Sequence, residues 1–453
     1  MFEYKTQPPS PPDVLATIRN GELHDPLAEL EQTGRTIIKG GLVVDPANEV
    51  EEVKDIAFIG KYIQEVADEI KPEKGDKVIN AEGLWVVPGL VDLHVHLHGL
   101  YEVTTRPSDC AAADGVTVGL SPDTANSTIG PALIGAEMDR GLPVSIGQYV
   151  GIHNLVVMDL SLAEIIALYK GELPEEVAVQ KAVRVPIVAR TAALVVGVKD
   201  NHNYWICSDE TYDKCFEFAQ QVGLIFMSHC QDPDHLRRMV DLSKGRDVYL
   251  GHSSAAGCGT FGDPAGDMKA VVEACKLPNV TAEFLSVHLR AGLGNREGIS
   301  VTKESQQVLF DALQDGTVDI IASDGQNDAT MKGFGDTREH VPCLVELVEN
   351  GILPLSKAIA TLTANPVKYA AKVTREDWWT KKLGHLGVGA RANVTIIDKR
   401  DKLATYTICN GQITGFENRV VRRGYGAGGL VTKYGIVDWP GVGDLVMFGY
   451  VTE

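Results

Sequence analysis

The chain has 453 residues, which allows one large barrel-type domain with a smaller companion and a sizeable buried core. Lys and Arg total 42 against 61 Asp and Glu, and the net charge of −19 argues against a surface that grips nucleic acid or an anionic membrane. Eight cysteines are scattered without a CxxC pair, as in a reduced chain rather than a disulfide framework. The opening MFEYKTQPPSPPD has no apolar signal region, and no run has the apolar length of a membrane span, so the expectation is a soluble, cytoplasmic protein.

Residues 1–33 are polar and rich in proline and acid, and read as an N-terminal extension that packs loosely or against a neighbouring subunit. Over 34–87 the texture changes to short alternating segments, RTIIKGGLVVD, DIAFIGKYIQEVA and DKVINAEGLWVVPG, which are strand and turn signals. The same texture returns within 385–453, in ANVTIIDKR and ATYTICNGQITG. The two ends are expected to join into one small β-sandwich, with a C-terminal tail.

Between them, residues 88–384 alternate apolar strand-like runs with segments of helical period, the pattern of parallel β/α units. Strands are expected at 91–96, 116–120, 144–150, 194–199, 224–229, 247–252, 280–287 and 318–324. Eight such units predict an α/β fold of the (β/α)8 TIM-barrel type.

In such barrels the reacting residues gather at the C-terminal ends of the strands. The first strand lies in VVPGLVDLHVHLHG, residues 86–99, where alternation puts Asp92, His94 and His96 on one face and Val91, Leu93 and Val95 on the other, towards the covering helices. Two imidazoles at i and i+2 on an inward face can hold one metal ion. Other strand ends carry similar chemistry: LVVGVK closes on Lys199, LIFMSH on His229, DVYLGH on His252 and VDIIASD on Asp324. Alternation places Val195 and Gly197 with Lys199, Ile225 and Met227 with His229, Leu250 with His252, and Ile320 and Ala322 with Asp324 on the inward faces. Any one of these residues is equally a satisfied polar group in a barrel mouth; together they point to a site.

PGLVDLHVH, the lysine ending strand four, the histidines ending strands five and six, and the aspartate ending strand eight resemble the amidohydrolase superfamily. ANPVKYA at 364–370 and LGHLGVGARANVTIID after it are similar to that family's return into its β domain. The lysine at strand four points to the binuclear branch of dihydropyrimidinases, hydantoinases, allantoinases and dihydroorotases. The resemblance implies that His94, His96 and Asp324 bind one divalent metal, that His229 and His252 bind a second, and that Lys199, carboxylated by carbon dioxide, bridges them. Homodimers or homotetramers are implied too. Chemically, a lysine ammonium cannot ligate, whereas its carbamate is an anionic two-oxygen bridge able to hold dications about 3.5–4 Å apart. A shared hydroxide becomes available near neutral pH, because metal binding lowers the pKa of water from about 15.7 to roughly 7. Asp324 is placed to move the proton from that hydroxide to the leaving nitrogen. Imidazole and carboxylate donors suit zinc, and admit manganese, cobalt or iron.

The substrate implied is a small cyclic amide: a hydantoin, dihydropyrimidine, allantoin or related imide. Tyr204, five residues after Lys199, has the spacing of the hydantoinase tyrosine that donates to the oxyanion. His98 is a candidate substrate contact or a solvated loop residue. Dihydroorotases usually carry HxHxR, the arginine gripping a carboxylate, and His98 stands there instead, which disfavours a pyrimidine carboxylic acid. His288 and Arg290, after strand seven, are candidate substrate contacts and equally structural residues; His153 is a candidate pocket residue and equally a structural one, and His202 either supports the site from behind the ligands or is simply exposed. GYGAGG at 424–429 lacks the strand-then-helix context of a dinucleotide loop. Cys230 is expected to pack, and His24, His235, His340 and His385 show no metal-ligand spacing. Two other functions compete: cleavage of a linear amide on the same metals, and a noncatalytic scaffold, which predicts eroded ligand positions.

Overall fold

The computed structural model describes residues 34–97, 107–122, 130–138, 141–152, 155, 158–178, 180–181, 191–200, 207–292, 300–326, 335–421 and 427–438. The first alternating segments form β1 (Thr36–Asp45), β2 (Val50–Ile59), β3 (Tyr62–Ala67), β4 (Lys77–Asn80) and β5 (Trp85–Pro88). The barrel strands follow: β6 (Leu90–Asp92), β7 (Val116–Ser121), β8 (Ser145–Gly151), β9 (Gly197–Lys199), β10 (Ile225–His229), β11 (Val248–Gly251), β12 (Val280–Leu285) and β13 (Ile320–Ala322). Each pairs in parallel with the next. Beyond their ends β6 and β13 also meet: Val95 bridges Gly325, Asp324 N donates to His94 O at 2.8 Å, and His96 N donates to Gly325 O at 2.9 Å. The result is a nearly closed eight-stranded parallel barrel, as the alternating pattern predicts.

The crossovers contain α1 (Pro107–Ala113), α2 (Gly130–Met138), α3 (Leu162–Lys170), α4 (Asp209–Val222), α5 (Pro233–Ser243), α6 (Pro264–Ala274) and α7 (Lys303–Asp315). Their starts are written locally: Ser208 accepts from Thr211 N at 3.2 Å, Asp232 from Asp234 N at 2.9 Å with Pro233 next, and Thr302 from Ser305 N at 3.1 Å. Gly89, between β5 and β6, has a steric cause, since a Cβ there would lie 2.3 Å from Thr117 Oγ1.

The last barrel strand leads into α8 (His340–Glu349), α9 (Ala364–Thr374) and α10 (Trp378–Lys382), then β14 (Val394–Asp398), β15 (Leu403–Cys409), β16 (Gln412–Phe416) and β17 (Arg419–Val420). β14 pairs with β5, so both chain ends build one nine-stranded mixed sheet, ordered β17-β16-β15-β14-β5-β1-β2-β3 with β4 on β1. Ile38, Ile56, Phe58, Val86, Ile396 and Ile408 form its buried core. The hairpin β18 (Leu430–Thr432) and β19 (Gly435–Val437) lies elsewhere: β18 runs parallel to the start of β8, at Ile146 and Gly147, before β8 takes up β9 at Tyr149.

Two apolar layers surround the barrel wall. Outside, Val95, Phe226, Leu250 and Ile321 join the helices. Inside, Val91, Leu93, Tyr149, Met227, Tyr249 and Ile320 meet one another, together with Val367 and Tyr369 of α9 and Trp379 of α10. α9 closes the N-terminal end of the barrel, where Asn365 donates to Asp319 O at 2.9 Å and Lys372 to Pro278 O at 3.1 Å.

Three alternation expectations are corrected here. Val91 and Leu93 fill the lumen rather than face the helices, Tyr249 rather than Leu250 points inward on β11, and Val196 rather than Val195 points inward ahead of β9, which begins only at Gly197. The causes are local. β6 ends at Asp92 and the chain bends before His94, while His252 at the end of β11 has a left-handed backbone, φ 39°, which swings its side chain off the strand's alternation.

Candidate metal centre

All six sequence-predicted ligands lie at the C-terminal mouth of the barrel, and all are buried. His94, His96 and Asp324 bring donor atoms within 4.8 Å of one another. Asp324 Oδ1 lies 3.0 Å from His94 Nε2 and 3.1 Å from His96 Nε2. Lys199 Nζ is 2.9 Å from His94 Nε2, which joins the end of β9 to this trio. His229 and His252 stand together, with Nδ1 of the first 2.8 Å from Nε2 of the second, and the His252 ring lies 5.4 Å from that of His94. Asp324, like His252, holds a left-handed backbone, φ 47°. Such conformations carry a cost, and at Asp324 the closing bonds between β6 and β13 hold the backbone in place.

The electrostatics follow from burial and crowding. Burial pushes the Asp324 carboxyl up, but His94, His96 and His252 more than reverse this and hold its pKa well below the usual carboxylate range. Burial pushes the Lys199 ammonium down, against the opposing pull of Asp324, Glu283 and Asp200. At His94, burial and Lys199 disfavour the charged ring, yet Glu283 and Asp324 prevail and raise its pKa. A carboxylate and two imidazoles aimed at one another are a donor set able to hold a cation, and two histidines with an aspartate fit a divalent metal by both charge and ligand type.

Behind this ring stand carboxylates that the sequence did not single out as support. Glu283 of β12, fully buried, binds His94 Nδ1 and accepts from His252 N at 2.7 Å through the same oxygen. Asp200, next to Lys199, accepts from His229 N at 2.7 Å and Ser228 Oγ at 2.6 Å, and lies 2.9 Å from His235 Nε2. Asp92 is not on the ligand face as expected; it accepts from Ser323 Oγ at 2.5 Å and from His94 N at 2.9 Å, and sits 2.8 Å from His340 Nε2. His235 and His340 therefore have no place among the ligands but do brace the acids behind them. A single acid inside the apolar run VTAEFL was the available signal for Glu283.

Of the remaining candidates, His288 is fully buried, its Nδ1 3.0 Å from Ser254 Oγ, and Arg290 is committed to ion pairs with Glu339 and, at 2.9 Å, Glu346. Tyr204, His98, His153 and His202 lie outside the described residues.

The amidohydrolase family pattern matches residues 85–425, most of the chain. The chain belongs to the amidohydrolase family. Within the family it is similar to a dihydroorotase from Geobacter metallireducens, 25% identical over 422 residues that span 82% of this chain and 91% of that one. In structure this amidohydrolase is similar to a dihydropyrimidinase from Brevibacillus agri NCHU1002, with TM-score 0.63 and 15% identity over 87% of this chain and 97% of that one. It is also similar to a D-hydantoinase from Bacillus sp. AR9, with TM-score 0.64 and 16% identity over 89% and 100%. At these identities the structural likeness speaks for the fold. No helix among the described residues is long and apolar enough to cross a membrane.

Proposed function

We propose that this protein is a metal-dependent hydrolase that opens a cyclic amide, with two divalent metals at the barrel mouth. The observation that carries the proposal is the convergence of His94, His96, Lys199, His229, His252 and Asp324, from five strands, into one buried ring. A noncatalytic scaffold has no need to keep all six. His94, His96 and Asp324 would hold one metal, His229 and His252 the other, and Lys199 would serve both as its carbamate. Burial favours the neutral amine of Lys199, the form that adds carbon dioxide and releases a proton. When bound, the metals polarise the amide carbonyl and acidify the attacking water, whose pKa falls from about 15.7 to roughly 7 in favourable sites.

The remaining steps belong to the chain's own side chains. Asp324, held ionised by the surrounding imidazoles, takes the proton of the attacking water and passes it to the ring nitrogen as the C–N bond breaks. Tyr204, five residues after Lys199 in the sequence, would donate to the oxyanion.

The substrate is a small ring bearing an amide or imide. Dihydroorotase relatives and the hydantoinase-like fold both support that class, and they divide on the ring itself. His98 at the place of the usual arginine favours a ring without a carboxylate. The test is turnover by zinc-reconstituted protein, with bicarbonate, of hydantoin, dihydrouracil, allantoin, cyclic imides and dihydroorotate, beside N-acyl amino acids. Opening of one ring, lost in Lys199→Ala, is expected. Cleavage of the acyl amides with every ring untouched would replace this reading with a linear-amide hydrolase.

A further inference from the structure

Five of the barrel strands supply the proposed ligands and β12 supplies none, yet β12 carries a carboxylate with no exposure to solvent. An unexposed acid on a strand without a ligand needs a reason. Its surroundings give one, because a single oxygen, Glu283 Oε1, takes both the Nδ1 of His94 and the backbone N–H of His252 at 2.7 Å. The first contact fixes the imidazole: with Nδ1 held by Glu283, Nε2 is the atom of His94 that faces Asp324 and Lys199. The second contact ties down the residue whose left-handed backbone, φ 39°, brings its ring against His229. Ser253 Oγ donates to the backbone oxygen of Glu283 at 2.8 Å and Ser254 Oγ accepts from Leu285 N at 2.9 Å, so the turn after β11 is anchored to β12 three times.

The other carboxylates behind the ring divide the work differently. Asp200 holds the backbone of His229, and Asp92 holds the backbone of His94. Of these three acids, Glu283 alone touches a ligand from each proposed metal position.

We propose that Glu283 is a positioning residue that couples the two metal positions, so that its loss weakens both together. The proposal rests on the metal reading above. It predicts a shared fate for ligands on separate strands, which a merely space-filling acid would not impose.

The test uses the full chain and its Glu283→Ala and Glu283→Gln variants, with zinc affinity measured by chelator competition, metal content after dialysis, and the visible absorption of the cobalt-substituted proteins. Glu283→Ala is expected to weaken zinc binding about 10- to 100-fold at both positions and to alter the cobalt spectrum. Glu283→Gln keeps an acceptor oxygen but not the charge, and is expected to hold both metals with a loss of about 10-fold, at the low end of that range. Parental affinity and spectrum in Glu283→Ala overturn the proposal, as does loss of one metal with the other held as in the parent. If Glu283→Ala does not fold, Glu283→Gln decides, and parental behaviour in it overturns the coupling. A parent chain that binds no metal overturns the metal reading as well, whereas a parent that binds two with unaffected variants overturns the coupling alone.

Discussion

The two ends of the barrel are built on opposite terms. At the N-terminal end, α9 and α10 press Val367, Tyr369 and Trp379 against Met227, Tyr249 and Ile320, and the rings of Tyr249 and Tyr369 lie 4.9 Å apart. At the C-terminal end the same strands finish in imidazoles, a lysine and an aspartate, backed by Glu283, Asp200 and Asp92. One end buries apolar surface, which stabilises; the other buries ionisable groups, which costs unless each is paired or holds a metal. The difference teaches that stability and chemistry are divided along the strand axis, as the barrel architecture favours.

The largest expected effect breaks the comparison at the mouth. Asp324→Asn should lower kcat about 100- to 10,000-fold, as removal of a general acid and base does, while thermal unfolding of the zinc-loaded protein changes little by comparison. A melting-temperature collapse in step with activity would show that the mouth carries the fold too.

At the sealed end, Trp379→Ala should cost about 3–5 kcal/mol, because this side chain is fully buried in the plug. Denaturant unfolding measures the loss, and the folded fraction should keep its kcat. A variant of unchanged stability but lost turnover would reverse the assignment of the two ends.

A smaller effect tests the seam between barrel and sheet. Asp438 binds Arg391 and, at 3.2 Å, Lys61. Burial pushes its carboxyl up, but the two cations prevail and hold it below the ordinary 3.8. A lowered pKa in the fold contributes stability above the unfolded value, and that contribution is lost as pH falls through the folded one. Melting temperature should therefore drop below about pH 4 in the parent and less steeply in Asp438→Asn, which at neutral pH is destabilised by about 1–3 kcal/mol.

The smallest effect belongs to neither end. Thr302→Ala removes the cap of α7 and should cost about 1 kcal/mol with activity per folded molecule unchanged.

Much of this was legible in the sequence because it is local. The eight strands announce themselves as apolar runs, and His229, Lys199 and Asp324 stand out as polar residues that close them. The supporting acids were not legible: Glu283 meets His252 and His94 only once β12 and β11 are side by side and β6 closes the barrel, and no spacing records that. A period of two puts Asp92 on the wrong face because it presumes an unbroken strand, and β6 bends after three residues. The hairpin β18–β19 escaped for the same reason as Glu283, since its partner β8 lies far away in the chain.

The most direct test of the ring as a binuclear centre is a crystal structure of zinc-loaded protein grown with bicarbonate, with anomalous difference maps at the zinc edge. The account predicts two peaks at the barrel mouth, one among His94, His96 and Asp324 and one at His229 and His252, with added density on Lys199 Nζ between them. A mouth without either peak, and an unmodified Lys199 still against His94, would contradict it.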